Sequence, residues 1–415
     1  MFRRPTQRIR AVGALLLLLA LLISACAAPA APSAAPSQEG GGGEEAMAPI
    51  KVGAIFDLTG PTSDVGTPYA QGIQDYVAWL NENGGVEGHP IDLISQDYGY
   101  KVDQAEQLYS QFVNQEKVVA FQGWGTGDTE ALRSRIAADK IPFMSASYSA
   151  NLANIEEAPY NFLVGTTYSD QMIIALRWAM EDWAAKGGEG APSIAVLHHD
   201  SPFGKSPVPD GQAFAEENGM AFTAIAMPRG ATDLTPELSQ VQNFGGNYII
   251  IQNVSSPAAL LLKDAKRLGM DDVQVICLNW CADENLVNLA GDAAEGVVGA
   301  LPFTPPSIDV PGLKDPREFL SAQGKDLNEI GLHYGQGWWT MAIMTEGIRR
   351  TVANGDEVTG ENIRAALETL ENFDTGGVTA PITFTATDHR GTRQLRLFRV
   401  EGGQWQQLTD YISAE

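Results

Sequence analysis

The chain has little cysteine and little histidine, three and five among 415 residues. That excludes a disulfide-dense scaffold and leaves few ligands for a transition metal, so no metal is expected. Basic residues are also scarce, 27 Lys and Arg against 51 Asp and Glu. A surface of that sign repels nucleic acid and anionic lipid, and neither is expected as a partner. Beyond residue 23 no apolar run is long enough to cross a bilayer. Two signatures of hydrolytic chemistry are missing as well, the G-x-S-x-G nucleophile elbow and the HExxH pair. An exported hydrolase built on Ser, His and Asp is therefore the weaker reading. A ligand-binding protein without a cofactor is the stronger.

What is present begins with a targeting pattern. Arg3, Arg4, Arg8 and Arg10 precede an apolar run from Ala11 to Ile23 and then Ser24-Ala25-Cys26. This reads as a signal peptide over residues 1–25. Ile23-Ser24-Ala25-Cys26 resembles the bacterial lipobox, in which the cysteine is acylated, so Cys26 is the expected lipid anchor on the outer face of the cytoplasmic membrane or in the periplasm. Residues 26–48, rich in Ala, Pro, Ser, Gly and Glu, read as the lipidated cysteine and a flexible tether. Removing residues 1–25 leaves 23 basic against 51 acidic residues, a net charge of −28. Of the remaining cysteines, Cys277 and Cys281 either bridge or stay as two thiols, and zinc is not expected with no histidine beside them.

The rest is organised around Val118-Val119-Ala120-Phe121-Gln122-Gly123-Trp124-Gly125-Thr126-Gly127-Asp128-Thr129. A short buried strand runs into three closely spaced glycines, then into the helix that Glu130-Ala131-Leu132 begins, with Thr126, Asp128 and Thr129 as candidate caps. Such a turn directs free amides and the positive end of a helix at one point, where an anionic oxygen fits. The following strand, Ile141 to Met144, leads into Ser145-Ala146-Ser147-Tyr148-Ser149. Two strands thus deliver hydroxyls to one carboxyl edge, where open α/β sheets bind ligands.

In chain order, Ile50–Phe56 is a strand and Ile73, Tyr76, Val77 and Leu80 mark a helix. Ile91–Ser95 is the second strand, and Ala105, Leu108, Tyr109, Phe112 and Val113 form a buried helical stripe. Strand and helix alternate without hairpin signals, which predicts a parallel sheet. The pattern restarts near Phe162, with strands expected at 193–198, 222–225, 248–251 and 273–276. A third block, 297–370, should hold one strand and three helices, and 381–411 short antiparallel strands. The fold class is α/β, with two doubly wound parallel-sheet lobes.

These stretches resemble a known family, the extracytoplasmic solute-binding proteins of ABC importers of the branched-chain amino acid kind, with the type I periplasmic binding protein fold. The resemblance is carried by Gly53-Ala54-Ile55 with Thr59-Gly60-Pro61, by Leu80 to Gly88, by the organising loop, by Pro142 to Ser149, and by Gly291 to Gly296. It implies two lobes joined by a three-strand hinge around a ligand cleft. The expected division is 49–167 plus 299–380 against 168–298 plus 381–415. It also implies a monomer that hands a small-molecule ligand to permease subunits. A ligand-sensing ectodomain for a signalling partner shares the same fold.

By the same resemblance, ligand-carboxylate contacts fall on Thr126, Ser147 and Ser149, and an aromatic contact on Phe203. The family's cleft tyrosine falls near Ser255, and the acid that pairs with a ligand ammonium falls on Asn279. A neutral residue there argues against an α-amino acid, unless Asp200, Asp283 or Glu284 supplies the charge. Trp124, Tyr148, Phe203 and Trp280 either line the cleft or pack the lobe edge. His198 and His199 point to opposite faces of a strand and seldom share a metal. Trp338-Trp339 reads as core, and Tyr334 and Gln336 are weaker cleft candidates.

Overall fold

The computed structural model describes residues 47–415. The expected signal peptide, the Cys26 lipid site and nearly all of the tether lie outside the described residues.

The first sheet is built from β1 (Ile50–Phe56), β2 (Ile91–Asp97), β3 (Ala120–Gly123), β4 (Phe143–Ser145) and β5 (Asn161–Phe162). All its pairings are parallel, in the order β2-β1-β3-β4-β5. β1 and β3 are central and read as nearly continuous buried runs, as a strand covered on both faces must. The helices α1 (Ser63–Glu82), α2 (Val102–Gln111) and α3 (Thr126–Asp139) join these strands. The stripe expected to continue one helix through Val113 breaks after Gln111. Phe112–Glu116 is a π-helical turn, closed by Lys117 in the left-handed region. Phe112 stays buried, so the apolar spacing was kept while the hydrogen bonding changed.

The chain crosses to the second lobe after β5. There α4 (Tyr168–Ala185) leads to β6 (Ser193–His199), the short α5 (Pro202–Lys205) and α6 (Val208–Glu217). β7 (Ala221–Met227), α7 (Thr235–Phe244) and β8 (Tyr248–Gln252) follow. After α8 (Ser255–Arg267) come β9 (Gln274–Leu278), α9 (Glu284–Ala290) and β10 (Val298–Leu301). A return to the first lobe supplies α10 (Lys314–Ala322), the single turn α11 (Leu327–Ile330), α12 (Leu332–Ala353) and α13 (Gly360–Leu367). This third block therefore has four helices where three were expected, because the turn at 327–330 is too short to leave a periodic signal. A last crossing brings β11 (Gln394–Glu401), β12 (Gln404–Gln407) and β13 (Ile412–Ser413) into the second sheet, ordered β12-β11-β10-β9-β8-β6-β7 with β13 on β11.

The second sheet is parallel from β7 to β10 and antiparallel from β10 through β12. The antiparallel tail matches the expectation for 381–411, though regular strands begin only at Gln394. The first lobe is closed by α12 lying along α1. A Cβ on Gly72 would sit 2.0 Å from the Tyr334 carbonyl oxygen, and one on Gly337 2.0 Å from that of Tyr69. The two glycines let the helix backbones touch. That contact sets Tyr69 and His333 beside the cleft.

Each sheet has one point where strand order reverses, between β1 and β3 in the first lobe and between β6 and β8 in the second. Loops leaving the carboxyl ends of such a pair part to opposite faces and leave a crevice. The two crevices face each other.

Candidate functional site

The crevice between the lobes is lined by Thr62, Tyr100, Trp124, Gly125, Thr126 and Ala146 from the first lobe, and by Tyr168, Phe203, Val254 and Trp280. Thr62 follows β1, Trp124 to Thr126 follow β3, Phe203 follows β6 and Val254 follows β8. The lining therefore comes from both reversal points. The cavity there is small, about 20 Å³, room for a water or two. None of these ten residues is charged.

At the head of the crevice stands the first turn of α3. Gly125 is its N-cap, with extended backbone angles. Asp128 accepts the Gly125 amide at 3.2 Å and the Tyr98 hydroxyl at 2.9 Å, while the Thr129 hydroxyl donates to the Gly125 carbonyl at 2.6 Å. The helix therefore starts at Thr126 rather than at Glu130. Asp128 and Thr129 hold its cap from inside the first turn instead of being the cap themselves. A Cβ at position 125 would lie 2.2 Å from the Asp128 carboxylate, so the close approach requires glycine. Burial raises the Asp128 carboxyl to about 7, against hydrogen bonds that favour its charge.

Thr126 is buried at this turn, its hydroxyl 2.7 Å from that of Ser147. Ser147 in turn accepts the Ser149 amide at 3.4 Å. Ser149 itself faces away from the lining. Its hydroxyl donates to Glu130 at 2.7 Å and accepts from Ser206 of the other lobe at 3.2 Å. Of the three candidate carboxylate contacts, the structure places Thr126 on the cavity wall, Ser147 directly behind it and Ser149 off to the side.

Aromatic rings fill the walls. The Trp124 indole donates to the Thr62 hydroxyl at 2.8 Å, and Thr62 donates to buried Asp57 at 2.7 Å. Trp280 donates to the Tyr168 hydroxyl at 2.9 Å. Trp124 and Trp280 meet edge to face with centroids 5.0 Å apart, and Phe203 lies against Tyr168 at 5.5 Å. Tyr148 is stacked under Trp280 at 6.2 Å and receives a hydrogen bond from Gln336 at 2.7 Å, so it supports the wall without lining it. Burial drives the phenols of Tyr100, Tyr148 and Tyr168 well above their ordinary pKa, which keeps them neutral.

Ser255 and Asn279 are wholly buried but do not line the cavity. The Ser255 hydroxyl donates to Asp283 at 2.6 Å. The Asn279 amide group has no partner on either atom, although its backbone N–H donates to Gln171 at 3.1 Å. The three carboxylates able to replace an acid at position 279 are all engaged. Asp200 is exposed and paired with Lys205 at 2.8 Å. Asp283 caps α9 through the Leu286 amide at 2.7 Å, and Glu284 accepts the Leu332 amide at 2.7 Å. Among the described residues that line this cavity none is acidic.

Closure of the lobes rests on a few polar contacts. Asp64 on α1 accepts the Ser256 amide at the start of α8, 2.9 Å away. Glu284 at the start of α9 does the same for the first residue of α12. Each places a carboxylate on the positive end of a helix in the opposite lobe. His333 on α12 approaches Asp283 at 3.3 Å and shares its other nitrogen with Gln336 at 2.9 Å.

Elsewhere, Cys277 and Cys281 are two buried thiols. His198 and His199 turn to different neighbours, the His199 carbonyl and the Ser201 hydroxyl, and burial lowers the His199 pKa to about 4. Trp338 is core and Trp339 is half-buried against it. Tyr334 is buried and directed to Asp75 at 3.0 Å, away from the crevice. Six lining residues were missed from sequence: Thr62, Tyr100, Gly125, Ala146, Tyr168 and Val254. Thr62, Tyr100, Gly125, Ala146 and Val254 each follow the carboxyl end of a strand, a signal available in advance. Tyr168 lies at a lobe crossing, which only the tertiary fold identifies.

The Periplasmic binding protein family profile matches residues 49–404. The chain is 22% identical over 322 residues to the leucine-, isoleucine-, valine-, threonine- and alanine-binding protein of Pseudomonas aeruginosa, covering 76% of this chain and 82% of that one. Among solved structures, a branched-chain amino acid ABC transporter protein from Thermus thermophilus with bound valine superposes with a TM-score of 0.83. It is 29% identical, over 88% of this chain and 97% of its own. An ABC transporter substrate-binding protein from Aeropyrum pernix gives 0.80 at 30% identity, over 89% and 97%. The chain therefore belongs to the periplasmic binding protein family, as a substrate-binding protein of the branched-chain amino acid ABC transporter type.

Proposed function

We propose that this protein captures a small carboxylic acid or amide with an apolar or aromatic body, closes on it, and delivers it to a membrane permease. The observation that carries this reading is the character of the crevice wall: two helix-start hydroxyls, Thr62 and Thr126, face aromatic rings, with no acidic side chain in the lining. A carboxylate or amide oxygen suits the Thr126 end. A buried ammonium would need a negative partner, and leaving it unpaired costs several kcal/mol. The relatives that bind leucine or valine favour a second reading, a branched-chain amino acid.

Calorimetric titration separates the two. Leucine, isoleucine and valine are compared with their 2-oxo and unsubstituted carboxylic acid analogues, and with aromatic acids. The acids are expected to bind and the amino acids to bind far more weakly. In Thr126→Ala the best acid should lose roughly 1.5–3 kcal/mol, about ten- to a hundredfold. Micromolar binding of leucine, valine or isoleucine would overturn the acid reading.

The expected lobe limits, 49–167 plus 299–380 and 168–298 plus 381–415, adjusted so that β10 stays whole in the second lobe and the stretch paired with Leu163 and Phe373 stays in the first, belong to the same proposal, as do the monomeric state and the lipid anchor. Cys26→Ser is expected to move the protein from the membrane fraction to the soluble fraction. Unchanged retention in the membrane would refute the anchor.

A further inference from the structure

Trp280 stands out because it belongs to one lobe and packs into the other. It sits on the short 3-10 turn Asn279–Cys281 that ends β9. Its indole lies 5.9 Å from Tyr69, 5.0 Å from Trp124, 6.2 Å from Tyr148 and 4.8 Å from His333, all first-lobe residues. The rings of Tyr148 and His333 are nearly parallel to it, at 14° and 25°. One hydrogen bond, to Tyr168, fixes the orientation. The residue is 3% exposed. What it leaves of the crevice is about 20 Å³.

We infer that Trp280 is the residue that sets how long a ligand this protein accepts. This rests on the functional reading above. A ligand anchored by its head at Thr126 extends its body toward the opposite lobe, whose lining there is Tyr168, Phe203, Val254 and Trp280, and of these the indole is the one packed among first-lobe rings. With Tyr148 and His333 on either side and Trp124 and Tyr69 across its edge, the ring has no free volume to swing into, because close-packed interiors do not yield by a ring's width. The ligand body must end before it. A short acid needs only a small parting of the lobes beyond the 20 Å³ present; a chain of eight carbons meets the ring and holds the lobes apart.

The test uses the straight-chain carboxylates from propanoate to decanoate, titrated into wild type, Trp280→Phe and Trp280→Ala. Wild type is expected to bind the short members and to lose at least tenfold in affinity by octanoate. The length optimum should move up by two or more carbons in Trp280→Ala and by less in Trp280→Phe, which is the milder change if the alanine variant folds poorly. A second measurement does not depend on the head group. Removing the indole leaves an apolar space on the order of the 150 Å³ that takes up benzene in a protein core, so free indole should raise the melting temperature of Trp280→Ala and leave wild type unaffected. The same length profile in all three proteins, or no rise with indole, would overturn the inference. No carboxylate bound by any form, with indole still taken up by Trp280→Ala, would overturn the carboxylate reading and support Trp280 as the plug of the crevice.

Discussion

Asp283→Ala is expected to cost about 3–5 kcal/mol in urea denaturation, the range for removing one partner of a buried pair. Asp283 is 3% exposed, and it serves three groups at once: the Leu286 amide, the Ser255 hydroxyl and the His333 ring. Alanine would uncap α9, leave a buried hydroxyl without its acceptor and strand the histidine. Asp283→Asn keeps an acceptor for the Leu286 amide and can donate to the Ser255 oxygen where the carboxylate accepted from it, so it loses the charge and reverses one bond and should cost less than alanine. The pair also carries a pH signature. Burial would lower the His333 pKa, but Asp283, Gln336 and Glu284 together outweigh it and leave it raised. A raised histidine contributes stability that is full below about 6.5 and is lost as pH rises through its folded pKa. Wild type should therefore lose this part of its advantage over Asp283→Asn on going from pH 6 toward alkaline pH. Variants within about 1 kcal/mol of wild type at pH 6 would show that the pair does not hold the lobes.

The second expected result concerns Glu284, whose carboxyl is raised to about 7 by burial first and by the neighbouring Asp283 next. Its Oε2 accepts the Leu332 amide, while Oε1 is buried with no partner. Because the folded pKa lies above the unfolded value near 4.5, the ionised form is disfavoured in the closed protein. The resulting loss is absent below about pH 4.5, grows as pH rises to about 7 and is constant above it. Glu284→Gln retains an acceptor for Leu332 and never ionises. It should match wild type at pH 5 within about 1 kcal/mol and exceed it at pH 8 by about 3 kcal/mol, since the folded carboxyl titrates near 7 and the unfolded one near 4.5. Using the difference between two proteins removes His199 and His389, whose lowered pKa values act with the opposite sign in both. A difference that does not change between pH 5 and pH 8 would mean that Glu284 is already hydrated. Since Glu284 and Leu332 stand on opposite lobes, the same variant should close on ligand without taking up a proton.

Comparison of particular elements shows where local pattern was enough. β6 and β8 are short apolar runs bounded by turn residues, and a buried parallel strand admits little else. The start of α3 carries its own chemistry in consecutive residues, so Thr126 was legible as a crevice residue before any fold was known. Ser149 was not. Its spacing suits the loop, but its hydroxyl goes to Glu130, nineteen residues back on α3. The neutrality of position 279 could be read from sequence, whereas the engagement of Asp283 and Glu284 by Leu286 and Leu332 could not. The antiparallel character of the tail was legible as well, but not that β11 would pair with β10 and so extend the second sheet.

By itself the sequence determined the alternation of buried strands and amphipathic helices, and with it two α/β lobes. It also determined the hydroxyl-bearing turn around Thr126, the acidic composition and the lipobox pattern at Cys26, though not that the helix begins at Thr126 itself. These are properties of neighbours along the chain, where hydrophobic period and capping chemistry act over a few residues. Only the tertiary structure decided that Trp280 enters the first lobe, that Asp283 meets His333, and that Asp64 and Glu284 sit on helix starts across the crevice. Each of those pairs joins residues from about fifty to just over two hundred positions apart. Two sheets that reverse strand order at facing points bring them together, and no local pattern encodes that meeting.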